Sequence, residues 1–293
     1  MDVIEHRRHR RGTVVNAAAT ATGPVLSLRS ATLEYGTRCL WHGLDLDIRA
    51  GEFVAVLGPN GTGKTSLLRT VLGQQRLSSG SIEFLGGPVV RGNRRIGYIP
   101  QQKLADQDTP LRARDLVAFG LNGHRWGLPF SSARDRRRVD AAIAAVGARD
   151  YASAPVASLS GGEQQRIRIA QAVVGNPRLL LCDEPLISLD LNHQRAVSEL
   201  IDRERRRRDM AVVFVTHDVN PILGMVDRVL YLAGGRFLVG TPDEVFRSEV
   251  LGRLYGTPVD VFRSRGRIVV VGAPEEHDGH EHGADETDGR DAS

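Results

Sequence analysis

The chain has 293 residues, 41% of them hydrophobic and 25% charged, enough apolar material for one large domain or two ordinary ones, which excludes a wholly disordered polypeptide. No stretch reaches the roughly 20 apolar residues that span a bilayer. The two cysteines, Cys39 and Cys182, make no disulfide framework and match no zinc motif, a usage that fits a reducing cytoplasm. The net charge of +4 is uneven: residues 275–293 hold eight acids and one arginine, a charge of −7, which leaves +11 on residues 1–274.

Residues 1–24 read as a flexible basic leader. The cluster from His6 to Arg11 is followed by Thr, Ala and Gly rather than by the apolar segment that an export signal needs. Val25 to Leu33 alternates apolar and polar residues, as a half-exposed strand does. Phe53 to Leu57 is a continuous apolar run that ends at a glycine, and Leu179 to Cys182 and Ala211 to Val215 are similar, a pattern of buried parallel strands. Helical spacing follows the first two runs, at Leu67, Leu68, Val71 and Leu72 and then at Val197, Leu200 and Ile201. Alternating strands and helices predict an α/β fold with a mainly parallel sheet. Between about residues 104 and 158 the rhythm breaks, and the spacing of Val139, Ile143 and Val146 predicts a helical insertion. Val259 to Val271 is hairpin-like, and from residue 273 the chain is Glu, Asp, Gly and His with almost no apolar side chains, the composition of a disordered tail.

Three segments carry chemistry. Gly58-Pro59-Asn60-Gly61-Thr62-Gly63-Lys64-Thr65, followed by Ser66, fits G-x-x-x-x-G-K-[ST] between a strand and a helix. Its glycines let backbone N–H groups converge on phosphate oxygens, Lys64 reaches the β and γ phosphates, and the Thr65 hydroxyl holds Mg²⁺. Lys64 is one of only two lysines, with Lys103, among 39 cationic residues; a compact ammonium fits inside such a loop where a planar guanidinium does not. Asp183-Glu184 follows the second apolar run, placing two acids at the C-terminal end of a strand, where ligands of open α/β sheets gather. Asp183 is the expected Mg²⁺ ligand, and Glu184 the group that polarises an attacking water. Ser160-Gly161-Gly162-Glu163 has capping-box spacing at a helix start. Two glycines there weaken helix propensity, which is explained if something, phosphate oxygens being the natural candidate, approaches the backbone closely.

Together these residues resemble the nucleotide-binding subunit of an ATP-binding cassette (ABC) transporter. Leu159 to Gln164 resembles the family's signature, with Glu163 where many members have glutamine. Tyr35 resembles the aromatic that stacks on adenine. Gln101, after Tyr98-Ile99-Pro100, resembles the loop glutamine that senses Mg²⁺ and the transmembrane partner, with the adjacent Gln102 as the other possible register. Ser188-Leu189-Asp190 resembles the D-loop, and His217 the switch histidine beside the γ-phosphate. The resemblance implies a P-loop ATPase core with an antiparallel N-terminal β subdomain and a helical signature subdomain. It places the ATPase domain at 25–256, a β-hairpin at 257–272 and the acidic tail at 273–293. It further implies ATP and Mg²⁺ as cofactors and a head-to-tail dimer with a second copy. The other expected partners are permease subunits gripped by the insertion and an extracytoplasmic solute-binding protein, with the ATPase at the cytoplasmic face of the membrane.

For cargo, Thr216 to Pro221, Leu230 to Arg236 and Glu249 to Tyr255 resemble the ATPases of zinc and manganese importers, with iron-chelate importers close behind. His277, His280 and His282 in the tail suit Zn²⁺ as a weak buffering or sensing site, the alternative being a solvated tail with incidental histidines. An exporter subunit and a soluble ABC ATPase acting on DNA or ribosomes are the remaining alternatives. The second lacks its long heptad insertion or second cassette, and the basic run Arg205 to Arg208 reads as a helix C-terminus rather than a nucleic-acid contact.

Overall fold

The computed structural model describes residues 23–101, 111–122 and 132–272. Gln102, the N-terminal basic cluster and the tail histidines lie outside them.

Two long strands, β1 (Leu26–Tyr35) and β2 (Arg38–Ile48), form an antiparallel hairpin that continues through β4 (Ser79–Phe84) to the short β5 (Gly87–Pro88), in the order β2-β1-β4-β5. The main sheet has six strands. Its members are β3 (Phe53–Leu57), β6 (Ile96–Ile99), β7 (Leu179–Asp183), β8 (Ala211–Val215), β9 (Arg228–Ala233) and β10 (Arg236–Gly240), ordered β10-β9-β3-β8-β7-β6. All its pairings are parallel except β9 with β10. The continuous apolar runs of the sequence are its central strands, and every residue of β3, β7 and β8 is buried.

Alternation along those strands separates two cores. Val54, Val56, Leu179, Leu181, Val213 and Val215 face the antiparallel sheet and helix α1 (Lys64–Val71), where Trp41, Leu28 and Ile48 fill the space. Phe53, Ala55, Leu180, Cys182 and Phe214 face the opposite layer. That layer holds α2 (Ala113–Asn122), α3 (Ala133–Ala145), α4 (Gly161–Val173), α5 (Leu191–Arg208) and, after the short α6 (Pro242–Val245), α7 (Ser248–Tyr255). The final hairpin, β11 (Asp260–Ser264) with β12 (Arg267–Val271), lays Val261, Ile268 and Val270 against the same core.

The arginines that end α5 are used internally. Arg205 and Arg206 pair with Asp202 at 2.7 and 2.9 Å, and Arg207 and Arg208 pair with the buried Glu204 at 2.7 and 2.8 Å. Arg205 also donates to the Gly51 carbonyl and lies over the Phe53 ring. Arg205 thus fastens the end of α5 to the sheet and Arg208 fastens it to the end of α4, while Arg206 and Arg207 pair within the helix.

Candidate active site

Strand order decides where the chemistry gathers. β8 lies between β3 and β7, all three run in the same direction, and Val215 is in register with Val56 on one side and Asp183 on the other. The glycine loop after β3, the acids at the end of β7 and the histidine after β8 therefore leave the sheet at one edge.

The loop is shaped by close backbone packing. Gly58 has φ 140°, and a Cβ there would sit 2.0 Å from the Leu232 carbonyl oxygen of β9. Lys64 curls back so that its Nζ donates to the carbonyls of Gly58 at 2.7 Å and Pro59 at 2.8 Å. Burial pulls the Lys64 pKa down, and the nearby charges of Glu184 and Asp183 oppose that pull. Thr62 closes the turn with a 2.9 Å bond to Pro59 O.

Above the loop is a groove of about 360 Å³ lined by Asn60, Gly61, Gly63, Lys64, Thr65 and Ser66, with Tyr35, Gln101 and Glu184 on its walls. Tyr35 is 74% exposed, a flat ring with no partner face of its own among the described core.

Asp183 is 2% exposed and accepts 3.3 Å hydrogen bonds from the Thr65 hydroxyl and from the Tyr98 hydroxyl. Burial raises its pKa despite those two donors. Tyr98 is itself pushed up to about 12 by burial and by Asp183, so it stays a proton donor at neutral pH. Sequence reading assigned Tyr98 no role; its place two residues before the Pro100-Gln101 turn was the available signal. Glu184 turns the chain with φ 49°, a left-handed conformation costly for a side chain with a Cβ. Its carboxylate is held by His217, whose Nδ1 lies 2.8 Å from Oε2.

These donors fit a divalent magnesium ion. The hydrogen-bond donors to this buried carboxylate are two neutral hydroxyls, with the Lys64 and Arg69 charges acting from nearby, and hard oxygen ligands such as Thr65 Oγ1 and Asp183 Oδ1 are what that ion takes.

The second glycine turn is elsewhere. None of Ser160, Gly161, Gly162, Glu163 or Asp190 lines the groove. Ser160 and Glu163 form a reciprocal capping box, with Glu163 Oε2 accepting from Ser160 N at 2.9 Å. The close approach expected at the glycines is made at Gly162 by a side chain of the same protein. A Cβ at Gly162 would lie 2.6 Å from His193 Cδ2, whereas Gly161 meets only ordinary contacts. His193 Nδ1 is held at 2.5 Å by Asp190 Oδ2, while Asp190 Oδ1 caps α5 through the amides of Asn192 and His193. His193 escaped the sequence reading, although a carboxylate at a helix start with histidine three residues on is a legible pair. Phosphate approach to Gly162 thus gains a rival explanation in His193.

A family model described as "ABC transporter" matches residues 41–187, half of the chain. The chain belongs to the ABC transporter ATPases. It is 32% identical to the manganese transport system ATP-binding protein MntB of Bacillus subtilis, over 78% of this chain and 92% of that one. It is also 32% identical to the zinc import ATP-binding protein ZnuC of Magnetococcus marinus, over 79% and 82%. It is 41% identical to the Fe(3+) ions import ATP-binding protein FbpC of Streptomyces avermitilis, over 76% of this chain and 64% of that one. Among solved structures, a chain of an inward-facing metal-chelate type ABC transporter superposes with a TM-score of 0.71 at 28% identity, covering 84% of this ATPase and 96% of that chain. The ATPase is thus a subunit of an ABC importer, hydrolysing ATP to drive transport. Among its described residues no helix is long and apolar enough to cross a membrane.

Proposed function

We propose that this ATPase energises uptake of a divalent metal ion, zinc or manganese, through a separate permease at the cytoplasmic face of the membrane. The observation that carries the cargo is the near-full-length match to the manganese and zinc relatives, 92% and 82% of their chains. Iron is the second reading, because the iron relative is more identical, at 41%, though this chain spans only 64% of it. Cargo selection is assigned in this reading to other subunits, an extracytoplasmic binding protein included. Cells lacking the gene test the assignment. Growth restored by zinc or manganese alone supports it, and growth restored only by ferric iron overturns it.

In this reading ATP enters the groove with adenine on Tyr35 and phosphates in the loop of Gly58 to Thr65. Lys64 exchanges the Gly58 and Pro59 carbonyls for β- and γ-phosphate oxygens, and Ser66 closes the loop's end. Thr65, Asp183 and Gln101 would hold magnesium, which would supply charge neutralisation at the phosphates. Glu184 polarises the attacking water and His217 keeps its carboxylate aimed. Ser160, Gly161, Gly162, Glu163 and Asp190 lie outside the groove lining, and in this reading they serve the nucleotide of a second copy packed head to tail. ATP favours the closed pair because its contacts with both copies exist only there.

The chain divides on this view into a leader (1–24), a cassette (25–256) whose helical insertion near 104–158 grips the permease, a hairpin (257–272) and a tail (273–293). His277, His280 and His282 of the tail bind Zn²⁺ weakly as a sensor. Equal Zn²⁺ uptake by the full chain and by a chain ending at residue 272 would remove that role.

A further inference from the structure

The loop that carries His217 is tied to the C-terminal hairpin by one side chain. Asn220 Nδ2 donates to the Ile268 carbonyl at 3.0 Å, and Asn220 Oδ1 accepts from the Ile268 amide at 2.8 Å. The asparagine amide thus pairs with the backbone of β12 as another peptide group does in a sheet. Its remaining N–H goes to Asp218 Oδ1 at 2.8 Å, and its own backbone amide donates to the same oxygen at 2.9 Å. Asp218 is fixed in turn, its amide donating to Thr216 Oγ1 at 3.2 Å and its carbonyl accepting from that hydroxyl at 3.0 Å. The path runs without a gap from β12 through Asn220, Asp218 and Thr216 to the residue beside them, His217, and on to Glu184.

Packing makes the tie rigid. Val219 and Ile222, which flank Asn220, are 5% and 0% exposed, and Ile268 is 5% exposed. The other strand of the hairpin is pinned separately, by the Val261 amide donating to Ser248 Oγ on α7 at 2.9 Å. Among the described residues, Asn220 is the side chain that hydrogen-bonds the switch loop to β12.

We infer that Asn220 is a positioning residue for hydrolysis, through which the C-terminal hairpin holds the switch histidine in register with Glu184. It acts through His217 and touches neither nucleotide nor water, so its loss should slow turnover without weakening ATP binding. The inference rests on the roles proposed above for Glu184 and His217.

The test uses the full-length chain with Asn220→Ala and Asn220→Asp, and His217→Ala as the control. Asn220→Asp keeps an acceptor for the Ile268 amide but sets an oxygen against the Ile268 carbonyl, so it serves if Asn220→Ala folds poorly. Steady-state ATP hydrolysis, nucleotide binding and hydrogen exchange at the Ile268 amide are measured together. We expect kcat to fall at least fivefold, KM for ATP to change by less than twofold, and the Ile268 amide to exchange faster. Faster exchange with wild-type kcat makes the tie merely structural and overturns the inference, as does a KM that rises with the loss of kcat, or no change in either quantity. If His217→Ala itself hydrolyses ATP at the wild-type rate, the reading of the site fails instead, whatever Asn220 does.

Discussion

Asp183→Asn should stabilise the protein in buffer and destabilise it relative to wild type in magnesium and ATP. The carboxylate is 2% exposed, and its two donors, Thr65 and Tyr98, are neutral and at 3.3 Å, beyond the usual range for O–H donors. Poorly compensated burial of a polar group costs about 1–3 kcal/mol in mutational series. Asparagine keeps an acceptor for one hydroxyl, and the other must turn to accept from the new amide; a gain of about 1–2 kcal/mol is expected at neutral pH, or roughly 2–8 °C in Tm for a domain of this size. The sign with pH follows from the raised pKa of Asp183. Its protonated form supports folding fully below the ordinary carboxylate value near ~4, and that support is lost as pH rises through the raised folded value. The variant removes this slope. With magnesium and ATP at a hundredfold excess over Kd, wild type gains about 2.7 kcal/mol by mass action, and the variant, without its carboxylate ligand, forfeits most of it. Thermal melts at several pH values, with and without nucleotide, should therefore cross. A variant that melts below wild type in buffer alone refutes the argument that burial dominates at this site.

Glu184→Gln should keep ATP binding and lose turnover by about 10²–10⁴, the usual share of a general base, as read by nucleotide binding beside phosphate release; wild-type hydrolysis would remove Glu184 from the chemistry. Gly58→Ala drives a Cβ into the Leu232 carbonyl at 2.0 Å, so nucleotide titration should show binding lost even where the protein still folds. Gly162→Ala should slow ATP hydrolysis roughly tenfold by displacing the His193 ring, a shift of about 1.4 kcal/mol. Since the clash is with that ring at 2.6 Å, His193→Ala in the same chain should restore part of the rate. A double variant no faster than Gly162→Ala would point to phosphate contact, not His193, as the reason for the glycine.

Much of the fold was legible because its signals are local. The apolar runs at 53–57, 179–182 and 211–215 are the buried strands, and the capping-box spacing at Ser160 and Glu163 marks the start of α4. The loop and the acid pair could be placed from motif and strand end, whereas the histidine was singled out only by the family resemblance. What spacing along the chain does not encode is which side chains meet across it. Tyr98 reaches Asp183 over 85 residues, and Asn220 reaches Ile268 over 48. Glu204 reads as a surface acid in a charged helix, yet it is 1% exposed because two arginines fold over it. The same blindness hid His193, whose partner Asp190 is near in sequence but whose other neighbour, Gly162, lies on a different helix.

The position of β8 has a consequence for how the protein is made. It is the last of β3, β7 and β8 to leave the ribosome, yet it is the strand that separates the other two. Until residues 211–215 exist, the glycine-loop strand and the acid-bearing strand have no common neighbour and each exposes an unpaired edge. Domains fold as they emerge, but this one cannot join its phosphate loop to its carboxylates until nearly three quarters of the chain has been synthesised. An incomplete polypeptide then carries a phosphate-loop sequence without the wedge that sets the acids alongside it.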